Sequence, residues 1–300
     1  MLSFIEYLPN ELSEICFIKG NEKIDHYTCN SLLIKDVLID TGISSKYLNT
    51  IVDKFQIKKV IFTHWHEDHI AGSDLLDNCI FMCHPNDKSV IEDIYKIYHL
   101  YGYNESPPDD LINYLNKYDL KNTNITETIE NNDVIKIGEK IVLKVIHTPG
   151  HSSGHCCFYE ETLKFAFLSD MAMPGSGPWY GGMDSSLIEY ENSIKKIMNL
   201  DINIAAFSHY GIIKETKIIN DIINEQKSII QERDEQILSN ISEKSPITSN
   251  DLWKKNLIYE GTADYEQPLI LSEKIMIEKH FEKFLKNGLI EPKRNGFILA

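Results

Sequence analysis

The sequence predicts an α/β fold with two parts, a large layered N-terminal part and a small helical C-terminal part. Short segments rich in Val, Ile, Leu and Phe, each closed by turn residues, are typical of strands, and helical patterns lie between them. After Gly211 the strands give way to successive helical patterns. With 300 residues and 42% hydrophobic content, the chain can bury a sizeable core.

Seven strands are predicted in the N-terminal part. They lie in "EICFIKG", "SLLIKDVLIDTG", "KKVIFTH", "NCIFMCHP", "KIVLKVIHTPGH", "KFAFLSD" and "INIAAFSHYG". Several are apolar on both faces, which favours strands that are buried on both sides. Helices are predicted between them at Ile43–Phe55, Ser89–Tyr101, Asp109–Tyr118 and Ser186–Leu200.

The C-terminal part begins near residues 212–218. A long amphipathic helix is predicted from Ile218 to about Ile241, and "SPITSNDLWKKNLI" predicts a short helix capped by Ser249 or Asn250. A third helix, Ser272–Lys286, precedes a hairpin around Asn295-Gly296. Three helices followed by a hairpin are the layout of a winged-helix module. We therefore expect domains at residues 1–213 and 214–300, in which the long helix can be shared.

The net charge of −15 is unevenly distributed. Residues 214–300 carry 13 Lys and Arg against 15 Asp and Glu, so most of the excess negative charge lies in residues 1–213. An acidic surface disfavours binding to a phosphate backbone, and we expect no strong binding of duplex DNA. The six cysteines form no CxxC pair, the N-terminus lacks the basic residues of a signal peptide, and no run of about 18 apolar residues is present. We expect reduced thiols, a cytoplasmic location and no membrane partner.

The stretch "FTHWHEDHIAG", residues 62–72, contains an HxHxDH cluster directly after an apolar strand. Histidines two apart on an extended segment project to the same side. His64 and His66 have this spacing, Asp68 continues it, and His69 departs from it as the chain turns. Such a cluster can serve two adjacent metal ions.

Three further strands also end in histidine or aspartate, with His151 after "HTPG", Asp170 closing "KFAFLSD" and His209 after "AAFS". Ligand sites in α/β sheets gather outside the carboxyl ends of strands. A lone histidine at a strand end is more often simply hydrogen-bonded, but five histidines and two aspartates suffice for two ions with a bridging carboxylate. Imidazole and carboxylate ligands without thiolate suit zinc, and iron or manganese also fit. Asp40 and His155 are candidates for supporting or purely structural roles.

HxHxDH, "TPGHSSGH", "LSD" and "SHYG" together resemble the metallo-β-lactamase superfamily over residues of about 14–213. The resemblance implies an αββα sandwich with a dinuclear site at one edge, fused here to a small C-terminal winged-helix-like domain. The implied ligands are His64, His66 and His151 for one metal, Asp68, His69 and His209 for the other, and Asp170 as the bridge.

The ligand positions contain no cysteine, which departs from the common antibiotic-hydrolysing zinc β-lactamases. The pattern is closer to the glyoxalase II-like, lactonase-like and nuclease-like branches. The C-terminal layout and "GSGPWYGGMDSSLIEY" also resemble the β-lactamase-like protein 2 group, some members of which are described as single-strand-selective endoribonucleases.

The expected activity is dinuclear metal-dependent hydrolysis of ester-like bonds, such as thioesters or lactones. The nucleophile would be a metal-bridging hydroxide, with Asp68 holding it and accepting its proton. Two alternatives stay open at this point, an endoribonuclease acting on single-stranded RNA and a mono-iron sulfur dioxygenase. The substrate is accordingly a small molecule or single-stranded RNA, and a homodimer is compatible with a winged-helix tail.

Substrate recognition is expected from loops outside the ligand set. Trp179 and Tyr180 lie in the Gly-rich loop after Asp170, and Tyr210 follows the last ligand. The insert at residues 84–123 holds six of the fifteen tyrosines, which favours either a helical lid whose rings stack on the substrate or simple packing of helices on the sandwich.

Overall fold

The computed structural model describes residues 2–8, 12–24, 26–104, 106–175, 177–259 and 267–300. The strands in these residues are β1 (Ile5–Tyr7), β2 (Ile15–Ile18), β3 (Ser31–Ile34), β4 (Val37–Ile39), β5 (Lys59–Ile61), β6 (Ile80–Cys83), β7 (Glu127–Thr128), β8 (Val134–Ile137), β9 (Ile141–His147), β10 (Cys156–Glu160), β11 (Phe165–Ser169), β12 (Ile204–Phe207), β13 (Gly211–Ile213), β14 (Ile290–Lys293) and β15 (Gly296–Leu299).

The strands form two large sheets and a small one. The first has the order β1-β2-β3-β4-β5-β6-β7, antiparallel up to β4 and parallel from β4 to β7. The second has the order β13-β12-β11-β10-β9-β8, and only β11 and β12 in it are parallel. Strands β14 and β15 pair as a hairpin.

The α-helices of the described chain connect and cover these sheets. They are α1 (Ser45–Lys54), α2 (Glu67–Ile70), α3 (Pro85–Ile91), α4 (Lys96–Leu100), α5 (Asp109–Asn116), α6 (Leu187–Met198), α7 (Thr216–Ser239), α8 (Ser249–Leu252) and α9 (Gln267–Lys286). In the part of the chain that the structure describes, no helix combines the length and the apolar character that crossing a membrane requires.

Alternating strand residues build the layers, because successive side chains point to opposite faces of a sheet. Leu32 of β3 and Phe158 of β10 meet in the core between the two large sheets. Leu33 points the other way, into the core beneath α1 and α3–α5, and Tyr159 points into the core beneath α6 and α7. The predicted αββα sandwich is therefore confirmed.

The three helices and the hairpin expected in the C-terminal part are present, with a core of their own. Ile237 of α7 packs there with Ile277, Phe281 and Ile290. The N-terminal half of α7 lies instead on the second sheet, where Ile223 joins the outer core. A single helix thus belongs to both parts of the molecule.

Several predicted boundaries were wrong. The segment "SLLIKDVLIDTG" is the hairpin β3–β4, because the chain reverses at Lys35, which has a φ of 55°. The predicted helix Ser89–Tyr101 is two short helices, α3 and α4. The last hairpin turns at Arg294 and Asn295 rather than at Asn295-Gly296, since Lys293 pairs with Gly296.

The cap of α8 was also misassigned. Thr248, and not Ser249 or Asn250, precedes the helix and forms a capping box with Asp251. The Thr248 hydroxyl and main-chain N–H both donate to the Asp251 carboxylate, at 2.6 and 3.0 Å.

Candidate metal centre

The structure brings all seven predicted ligands to one edge of the sandwich. They leave the ends of β5, β9, β11 and β12, so four loops from both sheets converge there. The seven fall into two adjoining groups, His64, His66, His151 and Asp170 in one and Asp68, His69 and His209 in the other.

The first group is a tight triangle of imidazole nitrogens. His66 Nδ1 lies 2.9 Å from His64 Nε2 and 2.8 Å from His151 Nε2, and the two Nε2 atoms are 3.2 Å apart. Asp170 Oδ2 lies 3.4 Å from His151 Nε2 and 3.9 Å from His64 Nε2. Three nitrogens and one carboxylate oxygen therefore surround one point.

The second group shares Asp170 with the first. His69 Nε2 is 3.3 Å from Asp170 Oδ1, and His209 Nε2 is 3.4 Å from Asp170 Oδ2. Asp68 Oδ2 completes the group at 3.3 Å from His209 Nε2 and 3.7 Å from His69 Nε2. Asp170 occupies the bridging position between the groups.

Hydrogen bonds to the outer ring nitrogens fix the tautomers of two ligands. The carbonyl oxygen of Trp179 lies 2.9 Å from His151 Nδ1, and because a carbonyl only accepts, Nδ1 carries the proton. Asp40 Oδ2 accepts in the same way from His69 Nδ1 at 2.8 Å. In both rings Nε2 is left with a free lone pair that faces the centre.

Asp40 is itself held in place by Thr63. The main-chain N–H of Thr63 donates to Asp40 Oδ1 at 2.8 Å, and the Thr63 hydroxyl donates to Oδ2 at 2.9 Å. The same hydroxyl lies 2.9 Å from His64 Nδ1 and accepts from it. Asp40 and Thr63 thus support ligands of both groups, the role that the sequence left open for Asp40.

His155 supports the bridging residue. Its Nε2 accepts from the main-chain N–H of Asp170 at 3.2 Å, and its Nδ1 lies 2.8 Å from the Thr148 hydroxyl. Burial, together with the neighbouring His151, lowers the pKa of His155 to about 3. The ring is therefore neutral and fixes the start of the turn that carries Asp170.

The first group favours neutral imidazoles. Burial lowers the pKa values of His64 and His66 well below their usual range, and the surrounding histidines lower them further. A neutral imidazole is the form that binds a metal ion.

The second group pairs its histidines with carboxylates. Burial works against charge on His209, but Asp170 and Asp68 outweigh it and raise the pKa to about 10. The pKa of Asp170 is held well below its usual range by His69 and His209, although burial acts in the opposite direction. The carboxylates of this group therefore favour a positive charge beside them, which a metal cation can supply.

The buried atoms left without a partner test whether a metal fits. His69 Nε2 and Asp170 Oδ1 are both buried and accept no hydrogen bond, although they point into the centre. An ideal tetrahedral zinc site places its ligand atoms about 3.3 Å apart. The distances given above for the first group run from 2.8 to 3.9 Å and bracket this value. The residues fit two divalent cations.

Residues 24–209 match the sequence profile of a family described as the Metallo-beta-lactamase superfamily. The chain belongs to the metallo-beta-lactamase superfamily. The family predicted from the sequence is therefore confirmed.

Individual members of the superfamily resemble this chain over different lengths. A beta-lactamase-like protein 2 homolog of Caenorhabditis elegans is 24% identical over 86% of this chain and 77% of its own length. An atrochrysone carboxyl ACP thioesterase of Aspergillus fumigatus is 25% identical over 62% of this chain, which spans about half, 47%, of that relative. A beta-lactamase domain protein from Burkholderia ambifaria shares the fold, with a TM-score of 0.75, 15% identity and coverage of 99% of this chain and 94% of its own.

The three residues that the sequence predicts to bind substrate lie in different environments. Trp179 is partly exposed, and its ring packs edge-on against His66 with ring centres 4.8 Å apart. Tyr210 is partly buried and donates to the carbonyl of Met173 at 3.3 Å. Tyr180 is fully buried and its hydroxyl faces His280 of α9, and its role in substrate binding stays a prediction.

The tyrosine-rich insert of this metallo-beta-lactamase fold packs against the sandwich. The hydroxyl of Tyr101 donates to the buried carboxylate of Glu67 at 2.9 Å, and Tyr114 and Tyr118 contact each other at 3.0 Å between their hydroxyl oxygens. Tyr95 is exposed. The packing alternative accounts for most of these rings.

A cavity of about 680 Å³ opens beside His209. Its lining includes Glu22, Ile24, Tyr27, Tyr114, Met173 and Pro174. No lysine or arginine is among the described residues that line it. Gly20, Glu22, Ile24 and Tyr27 were missed as part of the site, because they carry no ligand motif and approach His209 only through the fold.

Proposed function

We propose that this metallo-beta-lactamase superfamily protein is a dinuclear metal-dependent hydrolase of ester-like bonds, with thioesters as the preferred class. The observation that carries the proposal is the pair of ligand groups joined by Asp170, whose Oδ1 faces His69 at 3.3 Å and whose Oδ2 faces His151 at 3.4 Å. Zinc is the proposed metal, since nitrogen and oxygen ligands without thiolate suit it; iron and manganese accept the same set.

The metal ions, when bound, would lower the pKa of a water molecule and polarise the carbonyl of the substrate. The side chains of the protein hold the metal ions and orient the ligands. Asp68 has the more accessible of the two carboxylates, with 13% of its side chain exposed against 3% for Asp170. Asp68 is therefore the proposed proton acceptor, because it can pass a proton to solvent, and Asp170 is the proposed bridge.

The cavity beside His209 supports the choice of substrate class. Ile24, Met173 and Pro174 offer apolar contacts to an acyl group, and Tyr27 offers an aromatic one. The described lining carries Glu22 and neither lysine nor arginine. A polyanion such as RNA depends on Lys and Arg contacts, so this lining favours an acyl substrate. The similarity to a thioesterase supports the same class.

The test is a substrate panel on protein of known metal content. Wild-type protein is loaded with zinc, iron or manganese, its metal stoichiometry is measured, and thioesters, lactones, simple esters and labelled single-stranded RNA are offered. We expect two ions per chain, thioester hydrolysis that a chelator abolishes, and loss of turnover in Asp68→Ala. His99→Ala, which changes an exposed histidine outside the ligand groups, is the matched control and should retain full activity.

Three results would overturn the proposal. Protein that cannot be loaded with any of the three metals would exclude a metal hydrolase. Cleavage of the RNA alone, lost in His66→Ala, would identify an endoribonuclease. One iron per chain with oxygen uptake on a persulfide substrate would identify a sulfur dioxygenase.

A further inference from the structure

The loop that follows Asp170 is held from outside the sandwich by two side chains of the C-terminal helices. Arg233 of α7 donates through Nη1 to the carbonyl of Pro178 at 2.8 Å and to the hydroxyl oxygen of Tyr180 at 3.0 Å. The Tyr180 hydroxyl in turn contacts His280 Nε2 of α9 at 2.9 Å. The residues on both sides of Trp179 are therefore anchored.

The anchored segment presents one group to the metal centre. Between Pro178 and Tyr180, the carbonyl of Trp179 accepts from His151 Nδ1 at 2.9 Å. Because peptide units are planar, fixing the neighbours of Trp179 restricts the direction of this carbonyl. The direction of the carbonyl decides which nitrogen of His151 carries the proton, and so whether Nε2 can bind a metal ion.

The anchor is buried and its hydrogen bonds have a definite polarity. Tyr180 and His280 are fully buried, and Arg233 is 4% exposed. Asp234 accepts from His280 Nδ1 at 2.6 Å, so His280 Nε2 accepts from the Tyr180 hydroxyl, whose oxygen accepts from Arg233. A buried network in which each member is satisfied is rigid.

The space around the loop is equally restricted. A Cβ atom added to Gly181 would lie 1.9 Å from Ser272 Oγ of α9. The loop therefore rests directly on α9, with no room for a side chain at this position.

We propose that Arg233 and His280 are positioning residues of the metal centre, which act on His151 through the loop 178–181. The inference rests on the proposed metal-dependent function, and it assigns to the C-terminal helices a part in building the site. The alternative is that Arg233 and His280 only attach α7 and α9 to the sandwich.

The experiment compares metal binding in variants of the full-length protein. Arg233→Met removes the two hydrogen bonds that Arg233 donates to the loop and keeps much of the side-chain volume. Tyr180→Phe removes only the link between Arg233 and His280. It takes the place of Arg233→Met if that variant fails to fold. Ile237→Ala is the matched control, because Ile237 lies one turn further along α7 and belongs to the core of the C-terminal part, whereas Tyr180 belongs to another core.

Zinc affinity is measured by competition with a chromophoric chelator, and the site is also examined by the visible spectrum of cobalt-substituted protein. We expect Arg233→Met and Tyr180→Phe to weaken one of the two zinc constants by about 10-fold and to change the cobalt spectrum. Arg233→Lys, which keeps a cationic donor on α7, should recover part of the loss. Ile237→Ala should unfold at lower urea concentration with both zinc constants unchanged.

The outcomes separate this inference from the proposed function. Unchanged zinc constants and cobalt spectrum in Arg233→Met and Tyr180→Phe, with a wild-type protein that binds two ions and hydrolyses thioesters, would overturn the positioning role alone. Equal losses of zinc affinity in Ile237→Ala would also overturn it, since general destabilisation would then explain the effect. A wild-type protein that binds no metal would overturn the proposed function itself.

Discussion

Asp40 offers the sharpest test of how the centre is supported. Its carboxylate accepts from the Thr63 main-chain N–H at 2.8 Å, from the Thr63 hydroxyl at 2.9 Å and from His69 Nδ1 at 2.8 Å. Asp40→Asn keeps the size of the side chain and the backbone, because asparagine tolerates the φ of 60° found at this position. The change replaces one accepting oxygen with a donating NH₂ group.

Either orientation of the new amide leaves a mismatch. If the NH₂ group faces the Thr63 N–H, two donors oppose each other. If it faces His69 Nδ1, the ring must move its proton to Nε2, the atom that faces Asp68 and Asp170. Loss of such a supporting partner lowers metal affinity roughly 10–100-fold, or about 1.4–2.8 kcal/mol. The buried mismatch adds a loss of about 1–3 kcal/mol in the free energy of unfolding.

Two measurements check this prediction. A competition titration gives both zinc constants, and urea unfolding of the metal-free protein gives the stability. We expect Asp40→Asn to weaken one zinc constant and leave the other near its wild-type value. Asp77→Asn, which changes an exposed aspartate, is the control and should alter neither. If both zinc constants of Asp40→Asn equal those of the wild-type protein, Asp40 does not orient His69.

Three further predictions each concern a single residue. Gly42→Ala would place a Cβ atom 1.6 Å from the carbonyl oxygen of Asp68, so we expect a loss of more than about 3 kcal/mol in unfolding free energy, measured in urea. Asp170→Ala removes the shared ligand, and elemental analysis should find fewer than two ions per chain. Burial raises the pKa of Glu273 to about 7 from 4.5. The folded state therefore holds this proton more tightly, and wild-type stability should fall relative to Glu273→Gln by up to about 3 kcal/mol between pH 4.5 and 7. Parallel pH profiles of the two proteins would contradict this.

The ligands could be predicted because each one carries its own local signal. His64, His151, Asp170 and His209 each follow an apolar strand closely, so the strand pattern and the residue type coincide. The supporting groups carry no such signal. The carbonyl of Trp179 is a main-chain atom that every residue possesses, and its contact with His151 depends on two loops meeting in the fold.

Tyr180 shows why a loop composition is a weak guide to exposure. Trp179 and Tyr180 are adjacent, yet the first packs on His66 and the second is buried against α7 and α9. The groups that bury Tyr180 are Arg233 and His280, which lie 53 and 100 residues further along the chain. Because residues so distant in the sequence bury Tyr180, the sequence around Tyr180 does not reveal its burial.

The errors in the strand prediction have a local cause. The hairpin β3–β4 reverses at Lys35, which adopts a φ of 55° without the glycine or asparagine that usually marks such a turn. The strand β8 alternates exposed and buried residues over only four positions, too short a pattern to separate from a loop. Long, apolar elements were predictable, whereas short elements with unusual turn residues were not.

The position of α7 limits how the C-terminal part can be tested. Ile219, Ile223 and Ile230 of this helix are buried against the second sheet, while Ile237 belongs to the C-terminal core. Truncation at residue 213 would expose the apolar outer core and, on the positioning role proposed above, would also release the carbonyl that orients His151. Loss of activity in such a truncated protein would therefore not show that the C-terminal part binds substrate. Point variants on its exposed surface, with α7 intact, separate substrate binding from support of the metal centre.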